Sequence, residues 1–271
     1  MEEREVYPNA PVVLVALEIR HPTAGSLSVA ERGAIKRRLT RHVPIMRMGR
    51  MQQLTLLQAV GEPVSLTGSQ THEFPRYFSR DNTMAVSIRD DAVVVETTRY
   101  ERWEQLRTVL ADLIEVRQEI GGVDGVERIG LRYVDEIRVA NEQASGSGWA
   151  SWVDPALLGP AQLGEELGLA VAESQGIMVF TQSADRTVVL RYGAREGYAV
   201  NPGGDLRRST PSPGPYFLLD IDSFWAPGEG TPEFDRKLLL ETCDALHAPV
   251  RSLFERLITE RLREEVFRRG D

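Results

Sequence analysis

Short apolar segments recur along the first half of the chain, and most of them predict β-strands. The segment 11–20 is rich in β-branched residues and predicts a buried strand. Met84, Val86 and Ile88 alternate with polar neighbours, which predicts a strand with one buried face. Strands are therefore predicted at residues 11–20, 51–57, 74–80, 83–89, 92–99 and 126–139.

Helical periodicity is clearest at residues 101–121, where apolar side chains recur every three or four positions. These positions are Trp103, Leu106, Leu110, Leu113 and Val116. A shorter helix is predicted at 28–41, because Ser28 and Glu31 have the spacing of a capping box. The first half therefore ends with a long helix and one further strand.

The second half has a similar order of elements. A short helix is predicted at 155–163, followed by strands at 176–182, 187–192 and 216–225. A long helix is predicted at 233–268, with a kink at Pro249 because proline has no amide hydrogen to donate.

This shared order predicts an α+β fold with two similar halves, residues 1–140 and 141–271. Each half would contain a mostly antiparallel sheet, a short helix and one long packing helix. The two sheets would join edge to edge into one curved sheet, since joining protects strand edges. An internal duplication would explain the repeated order. The alternative is coincidence in one integrated domain, because this order is common in α+β proteins.

Composition narrows the class of protein. The chain is 42% hydrophobic and 27% charged, which excludes wholesale disorder. No basic leader precedes the first apolar stretch, and no apolar run approaches the ~20 residues of a membrane span. A single cysteine excludes an intrachain disulfide and a multi-cysteine metal site. We therefore expect a cytoplasmic protein without a membrane segment, metal or cofactor.

Positive charge is concentrated at residues 31–50, although the whole chain has a net charge of -8. The predicted basic surface comprises Arg32, Lys36, Arg37, Arg38 and Arg41. Such clusters are typical of surfaces that bind phosphate groups or acidic proteins. The alternative is a solvated helix face whose arginines pair with acidic residues elsewhere. Nucleic-acid binding is disfavoured, because the chain is acidic and no aromatic residues interleave the cluster.

Two aspartates mark a candidate ligand site. Asp220 and Asp222 lie two residues apart in a predicted strand, so both point to one face. Carboxylates on one face can hold a cation or raise each other's pKa, and the alternative is ion pairing with arginines on neighbouring strands. The candidate ligand-binding set is Arg132, Tyr133, Arg191, Asp220 and Asp222.

Catalytic motifs are absent from the sequence. Cys243 and His247 lie one helical turn apart and can share a helix face. A nucleophilic thiolate would need a cleft and an activating base, and the alternative is a buried thiol on an amphipathic helix. No catalytic residue or metal ligand is therefore assigned.

Four segments together carry a family resemblance: YPNAPVV at 7–13, RIGLRY at 128–133, LDID at 219–222, and LHAPVRSLFERLITERLR at 246–263. With these markers the chain resembles a sporadically distributed prokaryotic family of uncharacterised proteins of similar length. The resemblance extends over nearly the whole chain. It implies one intact bacterial protein and assigns no functional residues.

Two functions are predicted. The first is a non-enzymatic binding or adaptor protein, which recognises a protein partner or a second copy of itself through an open sheet face or the long helices. The alternative is a small-molecule-binding protein or an enzyme of unknown reaction. Its cavity would lie between sheet and helices, lined by Tyr133, Tyr192, Phe217 and Trp225, with the two aspartates as polar groups. The first predicts a broad face, and the second predicts a concave pocket of several hundred Å³.

Overall fold

A computed structural model describes residues 6–57, 65–139, 146–169 and 171–269. The strands are β1 (Val12–Arg20), β2 (Ile45–Leu57), β3 (Ser65–Phe78), β4 (Met84–Ile88), β5 (Ala92–Thr97), β6 (Arg128–Ile137), β7 (Gly176–Ser183), β8 (Arg186–Gly197) and β9 (Gly214–Trp225). The helices are α1 (Val29–Arg38), α2 (Trp103–Glu119), α3 (Ala161–Glu166), α4 (Arg236–Leu257) and α5 (Glu260–Leu262). Short 3-10 turns precede α3, and a π-helical turn follows α5. The predicted α+β class is confirmed.

All nine strands belong to one antiparallel sheet in the order β2-β3-β4-β5-β1-β6-β9-β8-β7. The pair β1–β6 lies at its centre, and both of these strands belong to the predicted first half. On the two sides of this pair, β5 lies beside β1 and β9 lies beside β6, so the two predicted halves join through β6 and β9. The predicted joined sheet is therefore confirmed, whereas the internal duplication stays a prediction.

The helices cover one face of the sheet. Val15, Leu17 and Ile19 of β1 are fully buried on this helix-covered face, and Leu113 of α2 and Leu246 of α4 pack in the same core. The intervening strand positions form the open face, on which none of the helices in the described residues packs. The buried apolar residues of both halves form a single cluster. No helix in the described ranges is long and apolar enough to cross a membrane.

The predicted capping box of α1 is present, because the Ser28 hydroxyl accepts from the Glu31 amide and the Glu31 carboxylate accepts from the Ser28 amide. In contrast, the single terminal helix predicted at 233–268 is wrong. The α4 helix runs through Pro249 but ends at Leu257, because the backbone of Ile258 forms a β-bridge with Val153.

Some strand bounds differ from those predicted. The β2 strand begins at Ile45, six residues earlier than expected, because its first residues pair with the end of β3. The pairing of β6 with β1 has one irregularity, between Val12 and Leu14 of β1.

Candidate functional site

An arginine–aspartate cluster occupies the centre of the open face. It comprises Arg128, Arg132, Arg191, Asp220 and Asp222. The strand register places Arg132 opposite Asp222 and Arg191 opposite Asp220, so β6 and β8 present arginines on both sides of the aspartates of β9. Opposite charges on neighbouring strands stabilise a sheet through such cross-strand pairs.

The strongest ion pair in the cluster joins Arg132 to Asp220. The guanidinium Nε and Nη2 atoms donate to the two carboxylate oxygens, each over 2.6 Å. Asp220 is only 4% exposed, whereas Arg132 is 49% exposed and Arg191, whose Nη1 lies 3.6 Å from Asp220, is 39% exposed. The cluster therefore presents half-exposed guanidinium groups held by a buried carboxylate.

The ion pair of Asp222 is longer than that of Asp220. The Asp222 Oδ2 atom is 3.7 Å from Nη2 of Arg128, which also lies over the ring of Phe224 at 4.6 Å. Burial raises the pKa of Asp222, and the nearby arginines oppose this shift. Arg128 also approaches Glu18, so the alternating charges continue from β9 through β6 to β1.

Asp220 and Asp222 form ion pairs with arginines on the neighbouring strands, which was one of the two alternatives predicted from the sequence. Each oxygen of Asp220 accepts from an arginine, so this carboxylate has no free pair of oxygens for a cation. Within the described ranges, no group of three or more acidic, histidine or cysteine side chains is arranged to hold a metal ion. The exposed guanidinium edges instead suit carboxylate or phosphate groups, which they can bind through two parallel hydrogen bonds.

Tyr133 does not join the other members of the predicted ligand-binding set. It lies on the helix-covered face, buried, and its hydroxyl donates to the hydroxyl of Tyr100 over 3.2 Å. The reason is the strand period of two, which directs neighbouring Arg132 and Tyr133 to opposite faces. Phe217 and Trp225 also face the helices, so the predicted combination of these aromatic rings with Asp220 and Asp222 in one cavity is wrong.

A polar network lies between α2 and α4 on the helix-covered face. The ring of Trp103 stacks on His247 with centroids 4.5 Å apart, and its Nε1 donates to Asp244 over 2.8 Å. Arg107 donates two further hydrogen bonds to Asp244. Cys243 is fully buried beside this network, and burial raises the pKa of its thiol far above the usual value. The buried-thiol alternative is therefore confirmed.

Asp135 is a buried carboxyl group that the sequence did not single out. It lies opposite Val12 and Leu219 in the sheet register, on the helix-covered face. Burial, and then the negative charge of Asp220, raise the pKa of Asp135 to about 8. A signal was present in the interrupted alternation after Tyr133, which places a charged residue where an apolar one is expected.

The predicted basic surface is partly neutralised by α2. Arg38 donates to Glu115 and Glu119, and Arg41 donates to Asp112 over 2.9 Å. Arg32 Nε donates to the carbonyl oxygen of Leu27. Lys36 and Arg37 are exposed. The contacts of Arg38 and Arg41 match the alternative in which the arginines pair with acidic residues elsewhere in the chain.

An open cleft of about 380 Å³ lies at the C-terminal end of α1. Its lining consists of Thr40, Arg41, His42, Pro44, Arg80 and Asp81. The His42 Nε2 atom is 2.6 Å from Oδ2 of Asp112, which orients the imidazole ring. Burial opposes ionisation of Asp112, but its bonds with Arg41 and His42 prevail and lower its pKa. No residue pattern in the sequence predicted this cleft.

Residues 198–213, here called the crossing segment, connect β8 to β9 across one end of the open face. Their anchor is Glu136, a buried residue whose carboxylate accepts from the Ala199 amide at 2.8 Å and from Arg208 at 3.3 Å. At the far end, the Arg207 amide donates to the Asn82 carbonyl oxygen at 2.8 Å. The crossing segment thus bounds the open face on one side.

The outer strand β7 exposes four consecutive large apolar side chains. Ile177, Met178, Val179 and Phe180 are each 42% to 60% exposed. In the described part of the chain β7 pairs only with β8, so its outer backbone groups have no strand beside them. The sequence predicted this strand but not its exposure, because a continuous apolar run is typical of a buried strand.

Comparison of the chain with protein-family models and with curated proteins finds no match. The resemblance to an uncharacterised prokaryotic family therefore stays a prediction. What the protein binds has to be inferred from its surfaces.

Proposed function

We propose that the protein is a non-enzymatic binding or adaptor protein, and that it recognises an acidic protein partner through the open face. The observation that carries this proposal is the pair of half-exposed guanidinium groups, Arg132 and Arg191, on either side of the buried carboxylate of Asp220.

Arg132 in particular is suited to recognition, because two hydrogen bonds to Asp220 already order its guanidinium group. A guanidinium group held by a buried carboxylate loses less rotamer freedom when a partner binds. Arginine is also enriched in protein interfaces and binds carboxylates in a defined geometry.

Charge on the open face favours an acidic partner. The ion pairs connected to the cluster join five arginines to four carboxylates, a local excess of one positive charge in a chain whose net charge is -8. The members are Arg20, Arg89, Arg128, Arg132, Arg191, Glu18, Asp91, Asp220 and Asp222. Complementary charge would steer the encounter and fix the orientation of the partner.

A photo-crosslinking amino acid at Val189, which lies opposite Asp222 on the open face, tests the proposal in the native host cell. We expect an adduct with one acidic protein, reduced by Arg191→Glu and by Arg132→Lys, which keeps the charge but loses the paired hydrogen bonds. Arg37→Glu, at an exposed arginine of α1, is the matched control. No adduct, or an adduct that all three variants form equally, would contradict the proposal.

A small-molecule ligand is the second candidate function, favoured by the cleft at the end of α1. Arg41 and Arg80 line this cleft, so it suits a small anion. Calorimetric titration with inorganic phosphate should show binding that Arg80→Ala weakens and that Arg37→Ala leaves unchanged. Absence of binding at millimolar phosphate would count against this candidate.

We further propose a cytoplasmic location and an internal duplication. A single buried cysteine supports a reducing compartment. The matching strand order on the two sides of the β1–β6 pair supports duplication. Cell fractionation tests the first proposal, and the discovery of relatives that contain a single half would test the second.

A further inference from the structure

We propose that two copies of the chain pair through β7, edge to edge and antiparallel, to form one continuous sheet. This interface lies at the outer edge of the sheet and adjoins the open-face cluster of the proposed function at Arg191, which pairs with Ile177. It would cover the exposed backbone edge of β7 and the apolar side chains on both sides of that strand.

Both faces of β7 are apolar and uncovered. Ile177 and Val179 pair with Arg191 and Val189 of β8 and lie on the open-face side. Met178 and Phe180 pair with Leu190 and Val188, which are buried on the helix-covered side. Exposed apolar side chains on both sides of an edge strand are unusual in a monomer and mark a pairing site.

The β7 edge lacks the charges that usually prevent strand pairing. The strand Gly176–Ser183 contains no charged residue and no proline, and its one register shift lies near its end, after Thr181. The opposite edge of the sheet, β2, carries Arg47 and Arg50. Like charges would oppose self-pairing of β2, whereas nothing comparable opposes self-pairing of β7.

A second copy fits this edge because the strand is complementary to itself. A two-fold axis at Val179, perpendicular to the sheet, would place Val179 opposite its own counterpart and Met178 opposite Phe180 of the other copy. This register keeps all helices on one side of the joined sheet, since paired residues share a face. Pairing of β7 with β2 of another copy would be head-to-tail and would risk open-ended growth, whereas the two-fold arrangement closes.

A stable dimer has to bury more surface than the pairing of one strand provides. Specific interfaces bury about 1,200 Å² or more. Leu163, Leu167 and Leu169 precede β7 in the chain and are also exposed. The segment between them and β7 runs along β8, where the Ser174 amide donates to the Ala194 carbonyl oxygen at 3.1 Å. In the proposed dimer these leucines contribute the additional buried area, and we expect dissociation in the micromolar range.

Analytical ultracentrifugation of the full chain between about 1 and 300 µM tests the inference, a range chosen to span the affinity expected for such an interface. We expect a reversible dimer that Val179→Lys shifts to monomer, with Kd at least tenfold higher. Val29→Lys, the same change at an exposed valine of α1, should leave Kd unchanged. A monomer at every concentration, or a dimer insensitive to Val179→Lys, would overturn the inference.

Disulfide trapping provides a second measurement that does not depend on the lysine variant folding. Single cysteines are introduced one at a time at positions 177–181, with buried Cys243 unreactive. Oxidation should give a covalent dimer most efficiently at the position on the two-fold axis. A cysteine at position 178 or 180, next to the axis, would be offset along the strand by about 7 Å from the same cysteine in the other copy, which is too far for a disulfide. No covalent dimer at any position would overturn the inference.

Salt and variants separate this inference from the proposed function. An apolar interface should persist at 1 M NaCl, whereas an interface of exposed charges should weaken. Arg132→Lys, on β6 three strands from β7, should leave the dimer intact, whereas Phe180→Lys, on the helix-covered side of β7, should weaken the dimer and leave the crosslink at Val189 intact. Either proposal can therefore fail without the other.

Discussion

Asp135 places a carboxyl group in the interior, and this makes stability depend on pH. Its pKa of about 8 in the folded protein is above the value of about 3.9 expected in the unfolded chain. The folded state therefore binds this proton more tightly. The contribution of Asp135 to stability is fully present below about pH 4 and is lost as pH rises to 8.

Replacing Asp135 by Asn should remove this pH dependence. At pH 8 we expect the variant to melt several degrees above the native protein, because about 1 kcal/mol shifts Tm by roughly 2–4 °C in a domain of this size. The difference should shrink as pH falls to 5. Calorimetry between pH 4.5 and 8.5 measures it, with Asp124→Asn at an exposed position as the control. A constant difference at all pH values would contradict the assignment.

The two partners of the central ion pair should differ in the cost of their removal. Arg132→Ala leaves the nearly buried Asp220 with only the longer ion pair to Arg191, at 3.6 Å. We therefore expect a loss of about 3 kcal/mol in the free energy of unfolding. Asp220→Ala leaves a half-exposed guanidinium that water can solvate, so a loss of about 1–2 kcal/mol is expected. Urea denaturation compares the two, with Arg37→Ala as the neutral control. Equal losses, or a larger loss for Asp220→Ala, would contradict this reasoning.

These residues also show what the sequence could and could not predict at this scale. The strand period of two placed Asp220 and Asp222 on one face, and ion pairing with Arg132 and Arg191 was among the predicted alternatives. The same period directs Tyr133 and Arg132 to opposite faces of the sheet, so Tyr133 did not belong in the predicted ligand-binding set. Partner strands are fixed by tertiary pairing, and no local pattern contains that information.

At the scale of elements, the end of α4 shows a local pattern overridden by a distant contact. Helical periodicity continues through residues 258–268, yet Ile258 is extended because it bridges Val153. Thr259 then starts α5, and its hydroxyl accepts from the Leu262 amide and donates to the Ser151 carbonyl oxygen at 2.9 Å. Propensity along the chain cannot predict such a bridge, since residue 153 is a hundred positions away.

Thr259 should therefore matter more than its place in the short connection between α4 and α5 suggests. Thr259→Ala removes both the cap and the bond to Ser151, and we expect a loss of about 1–2 kcal/mol in the free energy of unfolding. Thr259→Ser keeps a hydroxyl and should recover most of this loss. Urea denaturation followed by far-ultraviolet circular dichroism measures both variants. Equal stability of the Ala and Ser variants would show that the hydroxyl is not the stabilising group.

The crossing segment should depend on its buried anchor. Glu136→Ala removes the acceptor for the Ala199 amide and for Arg208, so the segment should detach more often from the open face. We expect tryptic cleavage after Arg207 or Arg208 to become about tenfold faster. The reason is that lowering the free energy of local opening by roughly 1.4 kcal/mol raises the population of the open segment by that factor. Glu173→Ala, which breaks an exposed ion pair with Arg195, is the matched control. An unchanged cleavage rate would show that Glu136 does not hold the segment.

For the whole molecule, the joint between the two predicted halves is the pairing of β6, the last strand of residues 1–140, with β9 of residues 141–271. The order of elements was predictable, because strand and helix periods differ. The strand order was not, because it depends on which of several similar apolar strands meet in the sheet. Val15, for example, pairs with Thr97 of β5 on one side and Tyr133 of β6 on the other, and neither choice can be derived from its own sequence neighbourhood.

This central joint predicts that the chain unfolds in one cooperative step. The buried residues of both halves form one cluster, and Trp103 of the first half donates to Asp244 of the second half. Losing the second half would expose the edge of β6 that β9 covers and the core residues that α4 covers, so a partly folded state is costly. We expect coincident urea transitions by tryptophan fluorescence and far-ultraviolet circular dichroism. A fragment of residues 1–140 should show no sharp transition on its own. Two separated transitions, or a cooperatively folded fragment, would instead establish the halves as independent folding units.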